Sequence, residues 1–157
     1  MREVTMETFL NWLGDSFLAS LIRDFLYPYV RAIHVGGAGV LFGSLALFDL
    51  RILGRKGHMT VSVTRELTMG LVWAGFMMSV TGGLLLFSAQ PQALWENHAL
   101  RVKLLLILTA GLNALFFEYQ FRRVNTLTSL RLSAGLSLIL WTAILINSAL
   151  IPYSDLR

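Results

Sequence analysis

Two nitrogen-bearing side chains, His34 and Lys103, lie within long apolar segments of this 157-residue sequence. Placing a titratable group inside the apolar region of a membrane costs free energy, so such a group is a candidate functional residue. His34 follows Tyr27 by seven residues, and Lys103 follows Glu96 by seven. At the rise of a helix, both lie roughly 10 Å past the start of their segments. The spacing therefore predicts that an imidazole and an amine share one level of the protein.

An imidazole and an amine at one level could both ligate the iron of a haem. A neutral imidazole is the usual protein ligand of b-type haem. A lysine can serve only as the uncharged amine, a form that burial away from water favours. His98, about one and a half turns from Lys103, is the alternative second ligand. The sequence thus predicts haem b, with His34 as one metal ligand and Lys103 or His98 as the other.

Further residues fit the same interpretation. Arginine binds carboxylates bidentately, so Arg31, one turn from His34, and Arg101 are expected to pair with haem propionates. Small residues are expected where helix backbone must stand back from a flat ring. Counting back along the next apolar segment places Thr81 and the two residues after it at the level of His34. The glycines assigned to the cofactor site are Gly37, Gly82 and Gly83.

Each of these residues also has an ordinary structural explanation. His34 could hydrogen-bond a neighbouring helix, Lys103 could extend its amine to the membrane interface, and His98 could be solvated. Gly39-x-x-x-Gly43 is more typical of helix packing than of a cofactor site.

Copper is the alternative cofactor, because Met69, Met77 and Met78 carry thioethers that suit copper(I). Met77 and Met78 are adjacent, however, and point in different directions on a helix. Core filling is therefore the favoured interpretation of the methionines.

The composition is that of a membrane protein. Hydrophobic residues make up 55% of the chain and charged residues 14%, whereas an ordinary soluble domain carries roughly 25% charged residues. The net charge of +4 comes from short loops and forms no basic face, so nucleic acid is rejected as a partner. Without cysteine, disulfides, thiolate sites and iron–sulfur clusters are excluded.

The predicted fold class is an all-α integral membrane four-helix bundle. The four spans are expected at about 28–50, 67–89, 99–121 and 132–151, each near the ~20 residues that cross a bilayer. Residues 1–27 are expected to form a leader, with an amphipathic helix over 5–26 that lies at the membrane interface. The bundle then comprises residues 28–157, and short connections make successive spans antiparallel.

The loop charges predict an orientation. Lys and Arg occur in the first and third connections and are missing from the middle one, which places the first and third loops in the cytoplasm. Both termini would then lie on the periplasmic side of a bacterial inner membrane. The basic loop residues are Arg51, Arg55, Lys56 and Arg65 in the first connection, and Arg122, Arg123 and Arg131 in the third.

Three segments carry a family resemblance: HxxGxxxxxGxxxxxDLRxLG from His34, FMMSVTGGLLLFS, and KLLLxLxAGLNA from Lys103. They resemble an uncharacterised family of bacterial four-helix inner-membrane proteins, which is distantly similar to the CopD copper-resistance membrane domain and to HemJ-type proteins. The resemblance covers about 28–151. It implies a b haem held by a first-span histidine and a later lysine, which match His34 and Lys103. It does not extend to the other polar features of HemJ-type proteins, so porphyrinogen oxidation is not carried over.

The functional hypothesis is a b-type cytochrome, or the membrane half of one, in a lipid bilayer. It would relay electrons between a periplasmic redox protein and quinone. The alternatives are a CopD-like copper or small-solute carrier and a non-catalytic scaffold subunit, with a homo- or hetero-oligomer left open in each case.

Overall fold

The computed structural model describes residues 2–54, 60–123 and 126–153, and within these ranges it contains helices and no strand. The all-α class predicted from the sequence is therefore confirmed. In chain order the helices are α1 Arg2–Gly14, α2 Phe17–Leu21, α3 Tyr27–Ile52, α4 Val61–Ala89, α5 Pro91–Glu96, α6 His98–Arg123 and α7 Leu127–Leu150, with a π-helical turn at Ile22–Leu26 and a 3-10 turn at Ile151–Tyr153.

Four helical segments are long and apolar enough to cross a membrane. They are Phe17–Ile52, Val61–Ala89, His98–Arg123 and Leu127–Tyr153. Their most apolar stretches are only 11–28% buried inside the protein, and outward-facing side chains such as Leu84, Leu115 and Ile139 are about two-thirds exposed. Apolar surface of this extent is stable against lipid and unfavourable in water. The chain is a multi-pass membrane protein.

The leader differs from the single helix expected over 5–26. The chain breaks at Asp15–Ser16, between α1 and α2. Ser16 is the N-cap of α2, and its hydroxyl accepts a hydrogen bond from the Ala19 N–H at 3.2 Å. A serine in this position satisfies an otherwise unpaired N–H and begins a new helix.

The leader and the first span also join without a break in the helix. The π-helical turn at Ile22–Leu26 connects α2 to α3, just before Pro28. Proline lacks an N–H and its ring crowds the carbonyl four residues back. A wider turn at that point accommodates proline inside a continuous helix.

The chain divides into two compact units, 1–41 with 73–97 and 42–72 with 98–157. In the first unit, Ile22, Val30 and Ala89 form a buried cluster with Leu85 and Leu86 packed against it. The Arg23 guanidinium donates a hydrogen bond at 3.1 Å to the Ala89 carbonyl, the last residue of α4. Gln92 of α5 donates one at 2.6 Å to Asn11 of α1. The leader is thus fixed to the ends of the first two spans.

The second unit contains α6, α7 and the remaining halves of α3 and α4. Its main apolar cluster joins all four helices and is built on Phe48, Ile52, Leu130 and Ala134, with Val61, Met69, Phe117 and Phe121 packed against it. A second cluster, Ala110 with Leu140 and Ile144, joins α6 to α7.

Candidate functional site

His34 is held by the backbone of α4. Its Nδ1 donates a hydrogen bond to the Ser79 carbonyl oxygen at 2.6 Å. A carbonyl oxygen can only accept, so Nδ1 carries the proton. In a neutral imidazole the lone pair then lies on Nε2, the other ring nitrogen. The ring is half-buried, and this hydrogen bond sets both its tautomer and its orientation.

Two glycines of α4 form the seat of this ring. A Cβ at Gly82 would come within 2.9 Å of the His34 Cβ, and one at Gly83 within 3.1 Å of His34 Cε1. Either side chain would displace the histidine. The predicted level of Gly82 and Gly83 beside His34 is confirmed. His34 itself fills the space beside these two glycines, so in this structure the glycines make room for the histidine side chain.

The same glycine pattern brings α3 and α4 into close contact. A Cβ on Gly37 would lie 2.7 Å from the Ser79 nitrogen, and one on Gly75 would lie 2.5 Å from the Leu41 nitrogen. These distances are shorter than any real Cβ contact, so glycine is required at both positions. Gly37 thus contacts the second span directly. The close approach is what brings the Ser79 carbonyl within reach of His34.

The other candidate ligands and propionate partners are distributed between the two units. Arg31 is exposed and lies one turn from His34 in the first unit. His98 and Arg101 are exposed and Lys103 is half-buried in the second unit. Arg101 and Lys103 have interactions of their own within the protein. Their assignment to a haem site remains a prediction.

No group of three or more His, Cys, Asp or Glu able to hold a metal ion occurs in the described ranges. A haem iron takes at most two protein ligands, so a haem site requires no such group. The methionines are dispersed as well. Met69 packs against the apolar cluster of the second unit, but Met77 and Met78 are 52% and 42% exposed. Core filling is therefore correct for Met69 and wrong for Met77, whose side chain is half exposed. The Met78 side chain is also partly exposed, but its Cβ lies at the contact with α3, 2.8 Å from the position of a Cβ on Gly37.

The Gly39-x-x-x-Gly43 motif does not pack against another helix in the described part of the chain. A Cβ at either position would have no other atom within 4 Å. The close contact of α3 with α4 uses Gly37 instead, whose neighbours on α4 are Gly75 and Ser79. Spacing alone does not say where the neighbouring helix lies, so packing of this motif within the chain is not observed among the described residues, and packing against a second copy stays a prediction.

Polar side chains also connect helices in the second unit. Asn113 donates a hydrogen bond to the Ser133 carbonyl at 3.0 Å, and Asn147 donates one to the Ala99 carbonyl at 2.6 Å.

The spacing of four residues between Glu118 and Arg122 favours an ion pair on one helix face, and the two side chains do form one at 2.6 Å. The sequence missed its second partner, Arg65 of α4, whose guanidinium lies 2.9 Å from both Glu118 oxygens. In both pairs, Arg65 with Glu118 and Ser79 with His34, the partners are far apart in the chain and meet only through tertiary packing. Ser79 is harder still to predict, because a backbone carbonyl occurs in every residue and leaves no signal in the residue type.

Comparisons with protein-family models, curated proteins and solved structures find no match to this chain. The resemblance to CopD and HemJ-type proteins therefore stays a prediction from the motifs around His34 and Lys103. The class of protein that the fold defines is a multi-pass, all-α membrane protein.

Proposed function

We propose that this chain is a b-type haem-binding membrane protein in which His34 would bind the haem iron. The observation that carries the proposal is the hydrogen bond from His34 Nδ1 to the Ser79 carbonyl. This bond leaves the lone pair on Nε2, a nitrogen able to bind iron. Metal-ligating histidines almost always donate their other ring N–H to a carbonyl, a carboxylate or water. His34 has this arrangement.

The seat of the ring gives independent support. Gly82 and Gly83 allow the imidazole to lie directly against the α4 backbone. A ring fixed in this way loses little further conformational freedom when it binds a ligand, so the free energy of binding is less opposed by entropy. The residues present fit a histidine that would hold a haem in an apolar helical protein.

Haem b, when bound, supplies a reversible one-electron centre. The Ser79 carbonyl would increase the basicity of the His34 imidazole by accepting its Nδ1–H. Arg31 and Arg101, both exposed, would pair with the propionates. Lys103 or His98 would be the second ligand, as the sequence predicts. The protein would thereby set the reduction potential through ligation and burial.

The proposed role is electron transfer between a periplasmic redox protein and the quinone pool, as the cytochrome b component of a membrane oxidoreductase. The orientation that this role requires rests on the distribution of Lys and Arg in the loops. It places the termini and the His34 level on the periplasmic side of a bacterial inner membrane.

The test is the visible spectrum of the full chain purified in detergent from haem-replete cells. We expect a Soret band and sharp α and β bands after reduction. His34→Ala should abolish these bands, and one of Lys103→Ala and His98→Ala should lose haem or change its spectrum. A haem spectrum that survives His34→Ala would refute the ligand assignment.

A glycine pair provides the matched control. Gly83→Ala places a methyl group 3.1 Å from His34 Cε1, whereas Gly36→Ala meets no atom within 4 Å. We expect Gly83→Ala to lower haem occupancy or shift the reduction potential, with Gly36→Ala unchanged. Equal spectra and potentials for both variants would contradict the role of the seat.

The remaining functional classes are outcomes of the same experiment. A colourless protein with stoichiometric copper would refute the haem proposal in favour of a carrier. A colourless, metal-free protein that purifies with one other chain would refute it in favour of a scaffold subunit.

A further inference from the structure

Asp49 carries a carboxyl group that the proposed haem site does not use. It lies in the second unit, inside the membrane-spanning helix Phe17–Ile52, and only 4% of the residue is exposed. The hydroxyl group of Ser137 on α7 is the polar neighbour of this carboxyl group. Its Oδ2 atom has no hydrogen-bond partner among the residues that the structure describes.

Gln120 of α6 is a second buried polar side chain in the same unit. It is 3% exposed, and neither Nε2 nor Oε1 has a partner in the described ranges. Buried amides and carboxyl oxygens almost always have a partner, so two such groups call for a water or an ion. An amide presents a donor and an acceptor together, which is the combination that holds a water molecule.

The two side chains lie near one level of the second unit. The rings of Phe48 and Phe117 are in edge-to-face contact, with centroids 5.6 Å apart. Asp49 follows Phe48 by one residue and Gln120 follows Phe117 by three. The first and third spans run in the same direction, so their backbones lie about 1.5 and 4.5 Å beyond this contact. A water molecule held at Gln120 would therefore lie close to the level of the carboxyl group.

An ionised carboxylate is poorly stabilised in this environment. No ion pair to Asp49 forms among the described residues, and a single serine hydroxyl supplies one donor. A buried carboxylate without a cation is far costlier than a neutral acid. Taking up a proton removes the charge and turns an acceptor oxygen into a donor.

We propose that Asp49 is a reversible proton-binding site, which exchanges its proton through water held at Gln120. The ligand is the proton itself: one O–H bond forms on the carboxylate, and the proton comes from water and returns to water. An ionisable group inside a membrane protein is a common element of proton pathways. The proposal does not depend on haem.

The charged groups that the structure describes around Asp49 leave its charge uncompensated. Arg65 and Arg122 both pair with Glu118, at 2.9 and 2.6 Å. Arg51 follows Asp49 by two residues, a spacing that places it on another face of α3, and it has interactions of its own. Among the described residues, the other titratable groups at this end of the packed helices are exposed, namely Glu66, Tyr119, Arg123 and Arg131.

The experiment is infrared spectroscopy of the full chain in liposomes, with isotope-labelled aspartate. The chain has four aspartates; Asp15 and Asp24 are exposed and Asp155 lies outside the described residues. An isotope-shifted band of a protonated carboxyl group near neutral pH is therefore assigned to Asp49 by its loss in Asp49→Asn. We expect this band to vanish reversibly at high pH. It should be missing in Asp49→Asn and retained in the control Asp24→Asn.

Two further variants test the environment. Ser137→Ala should shift the frequency of the band without removing it, because the carboxyl group loses its hydroxyl partner. Gln120→Leu should slow the exchange of the carboxyl proton for deuterium, because the water beside it is displaced. These readouts separate a proton site from a merely structural aspartate.

The proposal is overturned if labelled aspartate gives only carboxylate bands at every pH at which the protein is folded. It is also overturned if the protonated band persists in Asp49→Asn. If Asp49→Asn fails to fold, the test uses the protonated-carboxyl band of the labelled wild-type chain and its frequency shift in Ser137→Ala. A band that Ser137→Ala leaves unshifted would belong to another residue and contradict the assignment.

Discussion

Gly75→Ala is the sharpest test of how α3 and α4 hold His34. The new methyl group would lie 2.5 Å from the Leu41 nitrogen and 2.7 Å from the Gly37 carbonyl oxygen. Both neighbours are backbone atoms, so no side-chain rotation can relieve the contact. The two helices would have to separate until the methyl group reaches an ordinary contact distance of about 3.4 Å.

The required movement is about 0.9 Å, the difference between 3.4 Å and the 2.5 Å contact. Ser79 lies one turn further along α4, and its bond to His34 is 2.6 Å long. A separation of this size would lengthen the bond to about 3.5 Å, at the limit for a hydrogen bond. Overpacking costs about 1–3 kcal/mol, and the weakened interhelical bond costs up to about 1.7 kcal/mol more.

Gly70→Ala is the matched control, because it lies on the same helix and its methyl group meets no atom within 4 Å. Alanine is favoured over glycine in a helix by up to about 1 kcal/mol. Gly70→Ala should therefore equal or exceed the wild type in stability. Gly75→Ala should be less stable by about 1–5 kcal/mol.

The assay is unfolding of the purified protein in mixed micelles with increasing denaturing detergent, followed by circular dichroism. The midpoint for Gly75→Ala should fall clearly below that for Gly70→Ala. Identical midpoints would mean that α3 and α4 are not in backbone contact at Gly75, and the reasoning about the His34 seat would then be wrong.

The same unfolding assay checks two further variants. Asn113→Leu removes the hydrogen bond to the Ser133 carbonyl and should cost about 0.6–1.7 kcal/mol; an unchanged midpoint would refute its bridging role. Glu118→Gln weakens its ion pairs with Arg65 and Arg122. Because these groups are partly exposed, the loss should be below about 1 kcal/mol and should shrink at high salt, whereas a larger, salt-independent loss would contradict this.

The four spans could be predicted because crossing a membrane leaves a strong signal in the sequence. About 20 consecutive apolar residues are needed, and α3, α4, α6 and α7 all contain such a run. Their ends differ from the prediction by up to six residues, as at Val61, the start of α4. The helical turn before Leu67 is polar, so it does not lengthen the apolar run from which the span was predicted. It nevertheless continues the helix, which therefore begins at Val61.

The leader was harder to predict. An apolar periodicity runs through residues 5–26, but the break at Ser16 depends on a capping hydrogen bond. The short helix α5 was not predicted in the middle connection. Its start is explained by Pro91, since proline is well suited to the first turn of a helix.

The amino-acid sequence by itself determined the all-α membrane class, the four spans and the level of His34 relative to Gly82 and Gly83. Hydrophobicity and the fixed rise of a helix are local properties, so they can be read along one chain. Only the tertiary structure decided which glycines lie in contact, that His34 donates to Ser79, and that Asp49 and Gln120 are buried together in one unit. Those outcomes depend on which faces of two helices meet, and that choice is made by packing between residues far apart in the chain.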